Sequence, residues 1–263
     1  MRNSLIDFWK QCDFTRAPFA HPKDVPYLSQ RKRWLIEEDA VDFDSYVSSQ
    51  RFGDQKDARI HLSLYPVPYI GDLENAEIVI LLLNPGFEYS DYWAEYKVPD
   101  FRKRSEQTLL QSFNGLDFPF WPLDPTCCWH TGFLWWEKKL RGVITEIAAK
   151  KFDGSYLTAM KELSRKLSCI ELIPYHSVSF QDHKLIELLP SVRAAIDYVQ
   201  LSLIPDTKSG KRTVIVTRQA KGWGLSSENN RDLVIYQGGH TRGASLSPNS
   251  EGGKAILRRF GIS

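Results

Sequence analysis

The longest unbroken apolar run in the alternation of apolar and polar positions is Ile78-Val79-Ile80-Leu81-Leu82-Leu83, preceded by Glu77 and stopped by Asn84-Pro85-Gly86. A short apolar run bounded by turn residues predicts a strand buried on both faces of a parallel sheet. Pro85 cannot donate to a ladder and pushes Asn84 out of helical geometry, while Gly86 lets backbone approach a ligand. Asn84 therefore belongs at the carboxyl end of a central strand, where open α/β sheets place their sites.

Three more short apolar runs predict strands: Cys169–Ile173, Thr213–Thr217 and Leu233–Tyr236. Helical spacing marks Leu134–Ala149, with Leu140, Val143, Ile144 and Ile147 on one face, and Ser155–Leu167, which Ser155 caps. Lys184–Leu203 reads as a long helix that Pro190 kinks or divides, and Ser250–Phe260 as a basic closing helix. Strands alternating with helices predict a doubly wound, four-stranded parallel sheet flanked by helices.

Residues 1–65 read as a mostly helical extension packed on the core, with Ser4–Cys12 and Gln30–Asp39 as its helices and Pro18, Pro22 and Pro26 as its breaks. Residues 66–263 form the α/β domain, entered through the extended Tyr65–Pro68. Phe87–Trp136 reads as a long aromatic segment resisting regular structure. It is either a functional loop or a cap burying its own aromatics. There is no internal repeat and no low-complexity tract.

Composition narrows the class. The 263 residues are 42% hydrophobic and 25% charged, which supports one large globular domain or a domain with an extension. No apolar run approaches the ~18 residues of a membrane span, and the first residues lack a secretory apolar region. A cytoplasmic monomer making no membrane contact is the expectation. Cys12, Cys127, Cys128 and Cys169 form no CxxC pair, which argues against a disulfide framework. Adjacent Cys127 and Cys128 beside His130 suit tetrahedral zinc poorly, and the spacing of the four argues against an iron–sulfur cluster. No metal and no cofactor are expected.

Net charge is +2, yet it is unevenly spread. From Pro205 onward ten Lys/Arg face four Asp/Glu, a net +6, against 24 and 28 in the rest. A basic carboxyl third suits a phosphate backbone, or simply a solvated face.

Polar residues follow three of the predicted strands: Asn84; then Tyr175, His176 and Ser177; then His240 with Arg242, Ser245 and Ser247. Each group alone is a weak signal, since Asn-Pro-Gly is also a common turn and strand-end histidines are often structural. In a parallel sheet all three lie on one rim.

Strand–Leu-Asn-Pro-Gly followed by strand–Gly-His-x-x-x-x-Ser-Leu-Ser resembles the two signature motifs of the uracil-DNA glycosylase superfamily, in its Asn-Pro-Gly branch, over roughly Ala76–Phe260. The second motif departs from the family's His-Pro-Ser-Pro-Leu-Ser: Thr-Arg-Gly-Ala follows His240, and Leu246 lies six residues on rather than four. The resemblance implies a uracil-DNA-glycosylase-like fold and hydrolysis of an N-glycosidic bond in an everted nucleotide. Asn84 would place the attacking water through its amide oxygen, and His240 would donate to the departing base. Phe87 would stack on the base, Gly86, Tyr175 and His176 would line its pocket, and Arg242, Ser245 and Ser247 would meet DNA phosphates, with Leu246 at the wedge position of a longer loop.

Gly86 stands where the strictly uracil-excising branch carries a tyrosine that closes the space beside C5 of the base. Glycine there implies tolerance of a bulky C5 substituent. The combination resembles bacterial anti-phage glycosylases that remove glucosylated hydroxymethylcytosine, making double-stranded DNA with modified bases the expected partner. The alternatives are a uracil or thymine mismatch repair glycosylase and a non-catalytic DNA-binding module of the same fold. A nucleotide-binding α/β protein is weakened by the lack of a P-loop or a Gly-x-Gly-x-x-Gly turn.

Overall fold

The computed structural model describes residues 4–31, 36–54, 58–226, 230–237 and 245–262. The strands are β1 (Ile36–Glu37), β2 (Ile60–His61), β3 (Tyr69–Ile70), β4 (Ile78–Leu82), β5 (Leu167–Glu171), β6 (Thr213–Val216) and β7 (Leu233–Ile235). The helices are α1 (Ser4–Trp9), α2 (Val25–Leu28), α3 (Phe43–Ser48), α4 (Tyr89–Lys97), α5 (Pro99–Leu110), α6 (Thr131–Lys151), α7 (Tyr156–Lys166), α8 (Leu185–Leu188), α9 (Pro190–Tyr198), α10 (Ile204–Lys208) and α11 (Glu251–Arg258). The protein is α/β.

All four predicted strands form and lie side by side, but the sheet has five, in the order β3-β5-β4-β6-β7. β4 pairs in parallel with β6, from Ile78 opposite Thr213 to Leu81 opposite Val216, and β6 pairs in parallel with β7. The added strand corrects the purely parallel expectation. The Glu171 N–H donates to the Pro68 carbonyl and Ser168 Oγ to the Ile70 carbonyl, so β3 runs antiparallel to β5. Pro66 and Pro68 disguise this edge strand as a connector. The order reverses at β4: the chain leaves it for β5 on one side and later returns to β6 on the other. That is the switch point at which open α/β sheets bind ligands.

The chain divides into two compact units. One comprises residues 1–69, 83–112 and 171–198; the other comprises 70–82, 113–170 and 199–263. The amino-terminal residues share a unit with the segments that follow β4 and β5.

The sheet-bearing unit takes its core from Ile78, Val79, Ile80, Leu81, Val214 and Ile215, all buried. Each such side chain removed from water contributes about 1.5–3 kcal/mol. Helix α6 buries Leu140, Val143, Ile144 and Ile147, the face its spacing predicts. Ser155 caps α7 by accepting from the Thr158 N–H, and Ser250 caps α11 by accepting from the Gly253 N–H. Gly253 has no room for a side chain, because a Cβ there would overlap the Ser247 carbonyl. Pro190 does divide the long helical stretch: α8 ends, Leu189 is extended and α9 begins at the proline, followed by a π-helical turn at Val199–Leu203.

In the other unit, α1 packs on α9, and β1 pairs in parallel with β2. Within the expected Gln30–Asp39 helix, Ile36–Glu37 is thus a strand; residues 32–35 lie outside the described residues. The buried Glu37 carboxylate pairs with Arg59 and accepts from the backbone N–H groups of Asp39 and Ala40, contacts no local pattern announces.

The aromatic segment after Gly86 is also more regular than expected. It forms α4 and α5, then short 3-10 turns at Trp121–Leu123 and Pro125–Cys127. A reciprocal cap joins Glu88 and Asp91 at the start of α4, and Pro99 opens α5. The helical period is hidden because α4 buries Asp91, Tyr92, Ala94 and Glu95 rather than an aliphatic stripe.

Candidate functional site

Asn84 follows β4 by two residues, outside the ladder. Its Nδ2 donates to the Ser177 carbonyl at 3.0 Å and to Ser177 Oγ at 3.3 Å. A carbonyl only accepts, so this contact fixes which end of the amide is nitrogen. Asn84 is half-buried, and its Oδ1 has no hydrogen-bond partner among the described residues. The amide is thus clamped by its donor end and presents its acceptor end.

Gly86 has φ +75°, in the left-handed region that favours glycine, and a Cβ built on it meets nothing within 4 Å. The backbone angle calls for glycine, and the space beside it is open. The Gly86 carbonyl accepts from Nδ1 of His176 at 3.0 Å, which puts the ring proton on that nitrogen. Asp91 Oδ2 lies 3.9 Å from the same Nδ1 and accepts from the Glu88 N–H at 2.7 Å. The strand-end groups Asn84–Gly86 and His176–Ser177 are therefore brought together, as the sheet topology requires.

His61 belongs to this cluster and sequence reasoning missed it. Its N–H donates to the His176 carbonyl, and its ring stacks on Phe87 at 3.8 Å between centroids. Tyr92 Oη donates to the Ala40 carbonyl, so it accepts from Nδ1 of His61 at 3.3 Å. That leaves Nε2 as a lone-pair acceptor, buried and without a hydrogen-bond partner among the described residues. Burial, then the proximity of His176 and Arg59, pushes the His61 pKa down to about 3, so the ring is neutral at physiological pH. The only signal in the sequence is a histidine within the apolar stretch Ile60–Leu64.

Phe87 is 8% exposed and packs with Ala40, Tyr46, Leu64 and Tyr92. His61 covers one of its faces and Tyr46 meets it edge-on at 5.7 Å. In this structure Phe87 is the platform for His61.

Tyr175 is corrected from a pocket residue to an internal tie. It is fully buried; its Oη donates to Asp24 Oδ2 at 2.6 Å and accepts from the His21 N–H at 3.2 Å. Asp24 Oδ1 also accepts from the Ser191 N–H, so one buried carboxylate joins α2, α9 and Tyr175. The hydroxyl serves as donor and acceptor inside the protein, and the ring is shut away from solvent.

In the second motif, His240 and Arg242 lie outside the described residues, as do Gly238 and Gly239. Leu246 is 2% exposed, its side chain packed against Gly252, so the wedge expectation is corrected: the residue is core. Ser245 and Ser247 are exposed and joined through their hydroxyls at 3.0 Å.

The basic carboxyl third is partly consumed internally. Arg212 is buried and binds the Leu73 carbonyl and Asp206; Arg259 binds Asp232, Thr213 and the Gly210 carbonyl. Arg218, two residues past β6, is not fully buried.

None of the four cysteines is in a disulfide. Among the described residues, no group of three His, Cys, Asp or Glu could hold a metal ion, and no helix is long and apolar enough to cross a membrane. No family model, no curated protein and no solved structure matches the chain.

Proposed function

We propose that the protein is a monofunctional DNA glycosylase with a uracil-DNA-glycosylase-like fold, hydrolysing the N-glycosidic bond of an everted, 5-substituted pyrimidine and leaving an abasic site. The observation that carries this reading is the clamped Asn84 amide, whose free oxygen lies two residues from the open space at Gly86.

The reaction passes through an oxocarbenium-like sugar. Asn84 Oδ1 accepts a hydrogen bond from water and holds it at C1′; an amide takes no proton at neutral pH, so its contribution is position. The water oxygen bonds to C1′ as the C1′–N1 pair leaves with the pyrimidine. The proton that the water sheds neutralises the base. His240 donates to a carbonyl oxygen of the leaving base and stabilises its growing charge.

Gly86 supports a bulky C5 substituent, and glucosylated hydroxymethylcytosine in phage DNA is the substrate this reading names. The partner is double-stranded DNA, and the role is antiviral defence.

A duplex carrying glucosylated hydroxymethylcytosine, treated with the protein and then alkali, should be cleaved at the modified position. Asn84→Ala should abolish cleavage while DNA binding persists. Cleavage of G·U or G·T duplexes alone would favour mismatch repair. If no duplex yields abasic sites, a binding module of the same fold is the better description.

A further inference from the structure

The unit that holds Asn84 also carries a pair of aromatic rings with no part in the proposed chemistry. Phe52 and Tyr89 are 49% and 51% exposed, and their ring centroids lie 6.2 Å apart with the planes at 68°. Local geometry presents each ring. Helix α3 ends at Ser48, and in the turn that follows the Phe52 and Asp54 N–H groups donate to the Ser49 and Arg51 carbonyls. Tyr89 opens α4, directly after the Glu88 cap.

The pair is continuous with the Asn84 site. Tyr46 meets Phe52 edge-on at 5.6 Å and Phe87 edge-on at 5.7 Å, so one buried ring bridges Phe87 and the surface pair. Tyr89 follows Gly86 by three residues, which holds its Cα within about 11 Å of the Gly86 Cα and the open space there. Large apolar ring faces left half in water beside a site mark a binding surface.

The shape of the pair narrows the occupant. Rings meeting edge to face form an angled trough, not the single flat shelf on which a base stacks. A hexose in its chair form suits a trough: its C–H faces lie on the rings while its hydroxyls turn outward to polar groups. Gln50, Arg51 and Asp54, in and beside the turn that carries Phe52, are exposed and are groups of that kind.

We infer that Phe52 and Tyr89 are specificity-determining residues that hold the sugar of a 5-glucosylated pyrimidine while Asn84 faces the nucleotide. The inference rests on the glycosylase reading for the position of the base. It adds a reason for the glucosyl group to be preferred, where the space at Gly86 alone only tolerates it.

The test is fluorescence anisotropy of the full chain with two labelled duplexes that differ only in glucosylation of one hydroxymethylcytosine. The parent should bind the glucosylated duplex about tenfold more tightly, the scale of one aromatic face contact. Phe52→Ala and Tyr89→Ala should each remove most of that preference, while Tyr89→Phe, which keeps the ring, should retain it. Circular dichroism should show all three variants folded, since both positions are half-exposed. Equal affinity of the parent for the two duplexes overturns the inference. So do folded alanine variants that keep the preference, or that lose affinity for both duplexes alike. Abasic-site formation, assayed alongside, separates the two readings. A preference that vanishes in the alanine variants, with no activity on any duplex, keeps the sugar platform and removes the enzyme; activity with the preference intact in both variants does the reverse.

Discussion

Asn84 and Ser177, 93 residues apart in the chain, are joined by a hydrogen bond from the amide Nδ2 to the serine carbonyl at 3.0 Å. This contact favours an amide over a carboxylate at position 84. A carboxylate would face the Ser177 carbonyl with a second acceptor, and the two would repel.

Asn84→Asp should therefore turn the side chain away from Ser177 instead of installing a general base. Any abasic-site activity should fall, on the order of the 10²-fold that a misplacement of about 1 Å costs. Ser177→Ala keeps the carbonyl and removes only the 3.3 Å hydroxyl contact, so its loss should be smaller. Single-turnover cleavage rates compare the two; faster cleavage by Asn84→Asp than by the parent would refute this account.

Gly86→Ala tests the backbone apart from sterics. A Cβ there meets nothing within 4 Å, so the cost comes from φ +75° alone. Urea unfolding should show a loss of about 1–2 kcal/mol. Gly86→Tyr should carry the same strain and also fill the open space, cutting activity on a bulky 5-substituted pyrimidine far more than on uracil.

Tyr175→Phe should destabilise without touching chemistry. It strips a 2.6 Å donor from the buried Asp24 carboxylate and an acceptor from the His21 N–H. The expected loss is about 2–3 kcal/mol in urea unfolding. At temperatures where the variant is folded its DNA affinity should match the parent's.

Two buried groups set opposite pH limits. His61 is held neutral, its pKa lowered from 6.5 to about 3, so below 6.5 the unfolded chain binds a proton that the folded chain refuses. Stability should fall as pH drops from 6.5 toward 3. Burial, with Asp91 nearby, raises Glu95 from 4.5 to about 8, so the folded chain keeps a proton that the unfolded chain has lost. This contribution is full below 4.5 and is lost as pH rises through 8. Glu95→Gln, which retains an acceptor for the Tyr65 N–H, should flatten the decline between 4.5 and 8. Unfolding free energies measured across that range check it.

Elements whose signal is local could be read directly from the chain. The apolar run of β4, the buried face of α6, the cap Ser155 and the break at Pro190 all follow from side-chain periodicity or from one residue's own geometry. The meeting of Asn84 and Gly86 with His176 and Ser177 was legible one step further on, because parallel strands bring their carboxyl ends to one rim. Long-range packing settled the rest. His61 joins the site through a stack on Phe87 and a bridge to His176, and Tyr175 turns inward to an aspartate 151 residues away. Leu246 enters the core, and polar α4 hides its helix by burying Asp91 and Glu95. These outcomes depend on which distant groups share a buried space, and neither spacing nor composition encodes that; the free energy of desolvating and pairing them does.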